Sequence, residues 1–325
     1  MNILKPAVGA KSQQGTRGKG NDDHYAWFAV ERADLQRTIH IAVVADGVTS
    51  EVGGAQASRI AIEAIKAALY EHPDREATLS EWLAGAIMHA NEEILFEVKR
   101  NPQLKGMSTT LVLGALAGSK LYVMHLGDSR AYLLRDQKLY QLTTDHTWAQ
   151  EAMAAGAITQ EEAAQHPGRN QLQRYLGAQH TINVARGLID PCSGQMEEYL
   201  HLQPEDALLF CTDGLYRRLD AAEIKERILE HTGYPQDSIE DLIERAAAKG
   251  EVDDITAILV ELPTERQPTV DMPTISVRRI DPNLQLSAPT HQSNWLRILL
   301  LLFVMILGLF AAYLFFMTSG GAAAF

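Results

Sequence analysis

Four aspartates stand where apolar runs stop. Asp46 closes Ile-Ala-Val-Val-Ala, Asp213 closes Leu-Leu-Phe-Cys-Thr, Asp128 follows Val123-Met-His-Leu-Gly, and Asp253 stands just ahead of Ile255-Thr-Ala-Ile-Leu-Val. A strand end holds a side chain at the rim of a sheet, where several such groups can meet. Carboxylates brought together repel one another unless protons or cations compensate. An oxygen-only set with no Cys or His beside it favours hard ions, Mg2+ or Mn2+. Each aspartate alone also has a plainer reading. Asp46-Gly47 and Asp213-Gly214 are ordinary turn dipeptides, Asp253 can end a loop, and Asp145 has the place of a cap for a helix starting near Thr147.

The elements that must carry these residues are short. Strands are predicted over Ile39–Ala45, Thr109–Ala117, Leu121–Leu126, Ala131–Leu134, Ala207–Cys211 and Ile255–Leu262, with hairpin turns at Gly118-Ser119 and Asp136-Gln137. Helical spacing appears in Ala57–Tyr70 and Leu79–Lys99, and more briefly in Asp220–Glu230 and Ser238–Ala248. Strands come in blocks and helices in groups, so the fold class is α+β rather than a regular parallel alternation.

Composition bounds the rest. A 325-residue chain with 46% hydrophobic and 22% charged residues can bury a real core, and a net charge of −12 argues against a general nucleic-acid binder. Two cysteines, Cys192 and Cys211, give neither a disulfide framework nor a zinc spacing, and the N-terminus lacks the apolar run of a signal peptide. Near residue 262 the composition changes. Residues 263–294 hold five prolines among polar residues, as a semi-extended linker would, and within 295–318 the run from Leu296 to Met317 is apolar apart from Arg297. Ile298 to Met317 would measure about 30 Å as a helix, enough to cross a bilayer. The expected organisation is therefore a catalytic domain over 1–262, the linker, a transmembrane helix and a short tail, 319–325.

Seven motifs in order turn scattered signals into a resemblance. Asn21-Asp-Asp23, Val44-Ala-Asp-Gly-Val-Thr-Ser-Glu-Val-Gly-Gly-Ala-Gln-Ala-Ser58, Gly106-Met-Ser-Thr-Thr-Leu-Val112, Leu126-Gly-Asp-Ser-Arg-Ala-Tyr132, Leu142-Thr-Thr-Asp-His146, Cys211-Thr-Asp-Gly214 and Val252-Asp-Asp-Ile-Thr256 follow one another. Together they resemble the metal-dependent protein phosphatases, the PPM or protein phosphatase 2C family, over roughly Gln14 to Leu262. The resemblance implies a β-sandwich flanked by helices in α-β-β-α layers. It also implies an enzyme that hydrolyses phosphoserine and phosphothreonine in proteins with a water activated between two divalent ions.

Residue by residue, the resemblance makes Asp46 a bridging metal ligand and Gly47 a carbonyl ligand. Asp213 and Asp253 would hold one ion, and Asp22 and Asp23 would act around the other. Asp128, with Asp213, matches a third site, so the expected cofactor is Mn2+ or Mg2+, two ions or three. Asp46, Asp213, Asp253 and Arg17 form the expected catalytic set. There are departures from the family pattern. Asp22 replaces a Glu, and Gly18 stands where the phosphate-binding Arg belongs. Arg17 and Lys19 are the neighbours able to take that task, Arg17 being preferred for its planar fork. Val48 replaces a His found in some members, and Asp254 replaces an Asn. His24 and His146 read as structural, and residues 152–173 match a variable flap beside the site.

The expected partners are phosphorylated proteins, substrates of a serine/threonine kinase, together with a membrane and no nucleic acid. The expected location is the inner (cytoplasmic) membrane with the catalytic domain in the cytoplasm, because Arg278, Arg279 and Arg297 precede the apolar stretch and Thr318–Phe325 has no charge. Two other readings compete: an inactive fold kept as a membrane-bound interaction module, and a hydrolase of small phosphoesters. Loss of Asp46, Asp213 or Asp253 would mark the first, and all three are present.

Overall fold

In Arg37–Asp46 (β3), Ile39, Ile41, Val43 and Ala45 enter one hydrophobic cluster while Ala42 and Val44 enter another, so the strand is covered on both faces. That requires layers on either side of its sheet. The structure, a computed structural model, describes residues 6–264 apart from 19, 33–36, 49–52, 72–76 and 178–181. The chain divides into two units, Met1–Pro268 and Thr269–Phe325, and every described residue belongs to the first. The stretch expected to span a bilayer, 295–318, lies outside the described residues. Among the described residues no helix is long and apolar enough to cross a membrane.

Two antiparallel sheets face each other. One runs β1 (Ala7–Gln13), β13 (Ile255–Glu261), β12 (Ala207–Cys211), β6 (Arg130–Arg135), β7 (Lys138–Gln141). The other runs β11 (Leu200–His201), β5 (Lys120–Leu126), β4 (Leu111–Ala117), β3, β2 (Asp23–Arg32), with β8 (Ala185–Arg186) also paired to β5. β9 (Leu188–Ile189) and β10 (Met196–Glu197) form a small separate pair. Between the sheets lie Val44, Val112, Leu133, Phe210 and Ile258. Gly114 of β4 is required there, since a Cβ would meet the Phe210 ring at 2.2 Å.

Helices close the outer faces. α1 (Gly54–Glu71) and α2 (Leu79–Arg100) cover the second sheet with Ile65, Leu83, Ile87 and Ile94. α5 (Asp213–Tyr216), α6 (Ala221–Glu230) and α7 (Pro235–Ala248) cover the first with Leu215, Ile224, Ile239 and Leu242. The α-β-β-α order is the one expected, and Cys211 is a buried core thiol. The hairpins also fall as expected, with Ala117 opposite Lys120 and Arg135 opposite Lys138. Asp136 and Gln137 carry φ of 49° and 58°, the left-handed pair a tight hairpin needs. One expectation is corrected. The helix after Asp145, α3 (Trp148–Ala154), is capped by Thr147, whose side chain accepts from Gln150 N–H. Asp145 instead holds Arg130 through two hydrogen bonds of 2.9 and 2.7 Å.

Candidate metal and phosphate site

The sandwich brings strand ends together at one rim. Asp46 is fixed through its backbone: its N–H donates to Thr110 Oγ1 (3.1 Å), and its carbonyl accepts from Thr109 Oγ1 and from Thr110 N–H (both 2.8 Å). Asp23 opens β2 directly opposite Asp46 in the β2–β3 register. Its Oδ2 accepts from Thr212 Oγ1 at 2.9 Å, a bond that crosses to the end of β12, and Asp213 is the next residue. Asp253 is set by Glu251, whose Oε1 accepts its N–H at 2.9 Å.

Asp46, Asp128, Asp213 and Asp253 line one cavity of about 710 Å³ together with Arg17 and Arg217. Asp23, opposite Asp46, is buried and does not line the cavity. Asp22 does not line this cavity: its Oδ1 accepts Ala55 N–H at the start of α1 (3.0 Å), and its carbonyl accepts from Gly47 N–H (3.2 Å) and Ser58 Oγ (2.6 Å). Lys19 lies outside the described residues. At Gly47 a Cβ would come within 2.4 Å of Gly54 backbone and 2.6 Å of the Asp22 carbonyl, so the first turn of α1 by itself demands glycine.

Electrostatics at the rim are severe. Burial, and then repulsion from neighbouring acids, push Asp46 and Asp213 well above the ordinary carboxylate range. Asp46 keeps some surface open to the cavity, yet four other acids act on it. Burial raises Asp23 to about 7 and Asp128 to about 6, and it raises Asp253 as well. Asp213 Oδ1 is buried with no hydrogen-bond partner among the described residues. Such a donor set, all oxygen and short of positive charge, fits divalent cations.

Two arginines already lean on it. Arg17 Nη2 is 2.8 Å from Asp253 Oδ2. Arg217 Nη2 lies 2.5 Å from Asp213 Oδ2 and 3.8 Å from Asp128 Oδ2, and its Nη1 is 4.0 Å from Asp253 Oδ2. With a guanidinium among them, the carboxylates stand apart. The one set of three potential ligand atoms within 4.8 Å among the described residues is elsewhere, at Glu230, His231 and Asp241. There Arg245 holds Asp241 at 2.8 Å and Arg227 pairs with Glu230, so the chain's own cations satisfy it.

Sequence reasoning missed Arg217, although its i, i+4 spacing from Asp213 on a helical turn was a readable signal. It also missed the threonine hydroxyls of Thr109, Thr110 and Thr212, and Tyr216, whose OH donates to the Asp128 carbonyl at 2.9 Å. His146 behaves as expected of a structural residue. Its Nδ1 accepts Gly127 N–H at 3.2 Å, its ring stacks on His125 at 4.5 Å, and burial holds its pKa down at about 3.

A two-sheet sandwich with acidic strand ends and arginines at one rim defines a class, the hydrolases of phosphate esters that work with divalent metals. Residues 12–259 match the protein phosphatase 2C family profile, and the chain belongs to that family of phosphoprotein phosphatases, which use Mn2+ or Mg2+. It is 33% identical over 253 residues to the serine/threonine phosphatase stp of Listeria innocua, covering 77% of this chain and 94% of that protein. It is 33% identical over 235 residues to the serine/threonine protein phosphatase PstP of Mycobacterium tuberculosis, covering 71% of this chain and 43% of that one. Among solved structures, the Streptococcus agalactiae serine/threonine phosphatase superposes with a TM-score of 0.68 at 27% identity, over 80% of this chain and all of that one. The PstP catalytic domain in complex with two manganese ions gives 0.62 at 28%, over 79% and 98%.

Proposed function

We propose that this chain removes phosphate from phosphoserine and phosphothreonine in proteins at a binuclear Mn2+ or Mg2+ centre, tethered to the cytoplasmic membrane by residues 295–318. The observation that supports the catalytic part is that Asp46, Asp128, Asp213 and Asp253 all line one cavity, their carboxyls raised first by burial and then by neighbouring acids. Asp46 would be shared between two ions, with Asp213 and Asp253 completing one and Asp23 and the Gly47 carbonyl the other. Asp22 would act through its hold on the Gly47 loop. Asp128 would serve a third ion beside Asp213. Bound divalent ions neutralise a phosphoester and lower the pKa of an attacking water.

The chain's own part is positioning. Arg17 lines the cavity and offers two donors to phosphate oxygens in exchange for Asp253, with Lys19 as a second cation of the same segment. Thr109 and Thr110 fix the Asp46 backbone and Thr212 holds the Asp23 carboxylate, so both strand ends are anchored at the rim. Turnover of a phosphothreonine peptide should require Mn2+ or Mg2+ and vanish with excess EDTA. Asp46→Asn and Asp213→Asn should each lose several orders of magnitude in kcat, since an amide neither neutralises nor bridges well. Turnover surviving chelation, or losses of about tenfold or less in both variants, would reject this centre.

A further inference from the structure

The cavity that holds the carboxylates is not acidic throughout. Leu95 and Val98 of α2, and Leu172 and Tyr175 of the segment after α4 (Gln160–Gln165), line the same space. All four are half-buried. α2 has no need of Leu95 for its core, because Leu83, Ile87, Ala90 and Ile94 already pack against the sheet and Leu95 joins no core cluster. A phosphate group finds its partners among the arginines and the cations the acids would hold, and gains nothing from an aliphatic wall.

This wall is built into the site's frame. Asn91, Leu95 and Val98 share one stripe of α2. Asn91 is buried, and its Oδ1 accepts Gly177 N–H at 2.8 Å. Gly177 has φ of +92°, and a Cβ there would meet the Met107 carbonyl at 2.4 Å. Leu176 and Thr109 exchange both backbone hydrogen bonds, at 3.1 and 2.9 Å, and Thr109 Oγ1 holds the Asp46 carbonyl at 2.8 Å. The apolar surface is therefore set in fixed relation to the Asp46 strand end. Its space is continuous with the reaction site, and about 710 Å³ falls within the range of pockets for ligands larger than a phosphate.

We propose that this wall receives the side chain directly flanking the phosphorylated residue, and that the enzyme selects phosphoproteins with a large aliphatic or aromatic residue there. The inference rests on the phosphatase reading above and names a substrate class within it. The test uses phosphothreonine peptides that differ only in Leu or Ser at the residue before, or at the residue after, phosphothreonine. p-Nitrophenyl phosphate serves as the substrate with no flanking residue.

For the wild type with Mn2+, kcat/KM should favour Leu about tenfold at one of the two positions, mostly through KM, which corresponds to about 1.4 kcal/mol. Leu95→Asp and Val98→Asp should each bring the Leu and Ser peptides within about twofold of one another. Both variants should lose far less on p-nitrophenyl phosphate than on the Leu peptide, and Leu95→Met should keep the preference. Equal kcat/KM for Leu and Ser peptides at both positions overturns the inference even if the aspartate variants fail to fold. So does a preference that survives in both aspartate variants. Failure of the wild type to hydrolyse p-nitrophenyl phosphate with Mn2+ would overturn the phosphatase reading, and this inference with it.

Discussion

A buried carboxylate held close to others is costly in the charged form, and protons and metal ions compete to relieve it. Asp23 at about 7 and Asp128 at about 6 both lie above the unfolded value near 3.9. Their contribution to the metal-free fold is therefore fully present below about pH 3.9 and fades as pH rises through about 6 and 7. Metal must displace those protons. The rise in melting temperature produced by Mn2+ should thus grow from about pH 5.5 to about pH 7.5 and level off beyond. Thermal scans with Mn2+ and with EDTA check this, and an equal rise at both pH values would count against these acids as the metal ligands. Asp46, Asp128, Asp213 and Asp253 were legible in the sequence because strand-end acids stand out against apolar runs. Asp254 was not. It reads there as a mild exchange in a loop, yet its two oxygens accept Gly15 N–H and Asp22 N–H at 2.7 Å each. The partners are backbone groups 239 and 232 residues away in sequence, and nothing in the local pattern announces them.

At the scale of elements, the covered strands declared themselves and the edges did not. β3, β4, β12 and β13 read as apolar runs because both faces are buried. β1 and β2 lie at the sheet edges, part-exposed, and their mixed sequences Ala7-Val-Gly-Ala-Lys-Ser-Gln13 and Asp23-His-Tyr-Ala-Trp-Phe-Ala-Val-Glu-Arg32 lack that signal. Where strands from both sheets touch, size is tightly limited. Gly114→Ala would drive a methyl into Phe210, three residues before Asp213, and should cost about 1–3 kcal/mol. Urea unfolding should show that loss, kcat should fall with it, and Phe210→Leu added to Gly114→Ala should recover part of the stability. An unchanged unfolding midpoint for Gly114→Ala would mean the sheets are not in contact there.

For the whole molecule, the question is what the unit beyond residue 268 adds to one already equipped for its chemistry. Among the described residues, which end at Thr264, the hydrophobic clusters reach Leu262 and the carboxylates lining the cavity reach Asp253. Folding and turnover should then be indifferent to removal of residues 295–325. Attachment should not be. Twenty uncharged residues from Ile298 to Met317 favour a bilayer interior, and Arg278, Arg279 and Arg297 on their N-terminal side favour holding that side in the cytoplasm. The full chain should sediment with membranes, resist salt and dissolve with detergent. The chain without 295–325 should stay in the supernatant with a phosphopeptide kcat/KM within about twofold of the full chain. Protease added outside spheroplasts should leave the catalytic domain intact. A full chain found in the soluble fraction would remove the anchor from this account, and digestion of the domain from outside would reverse its orientation.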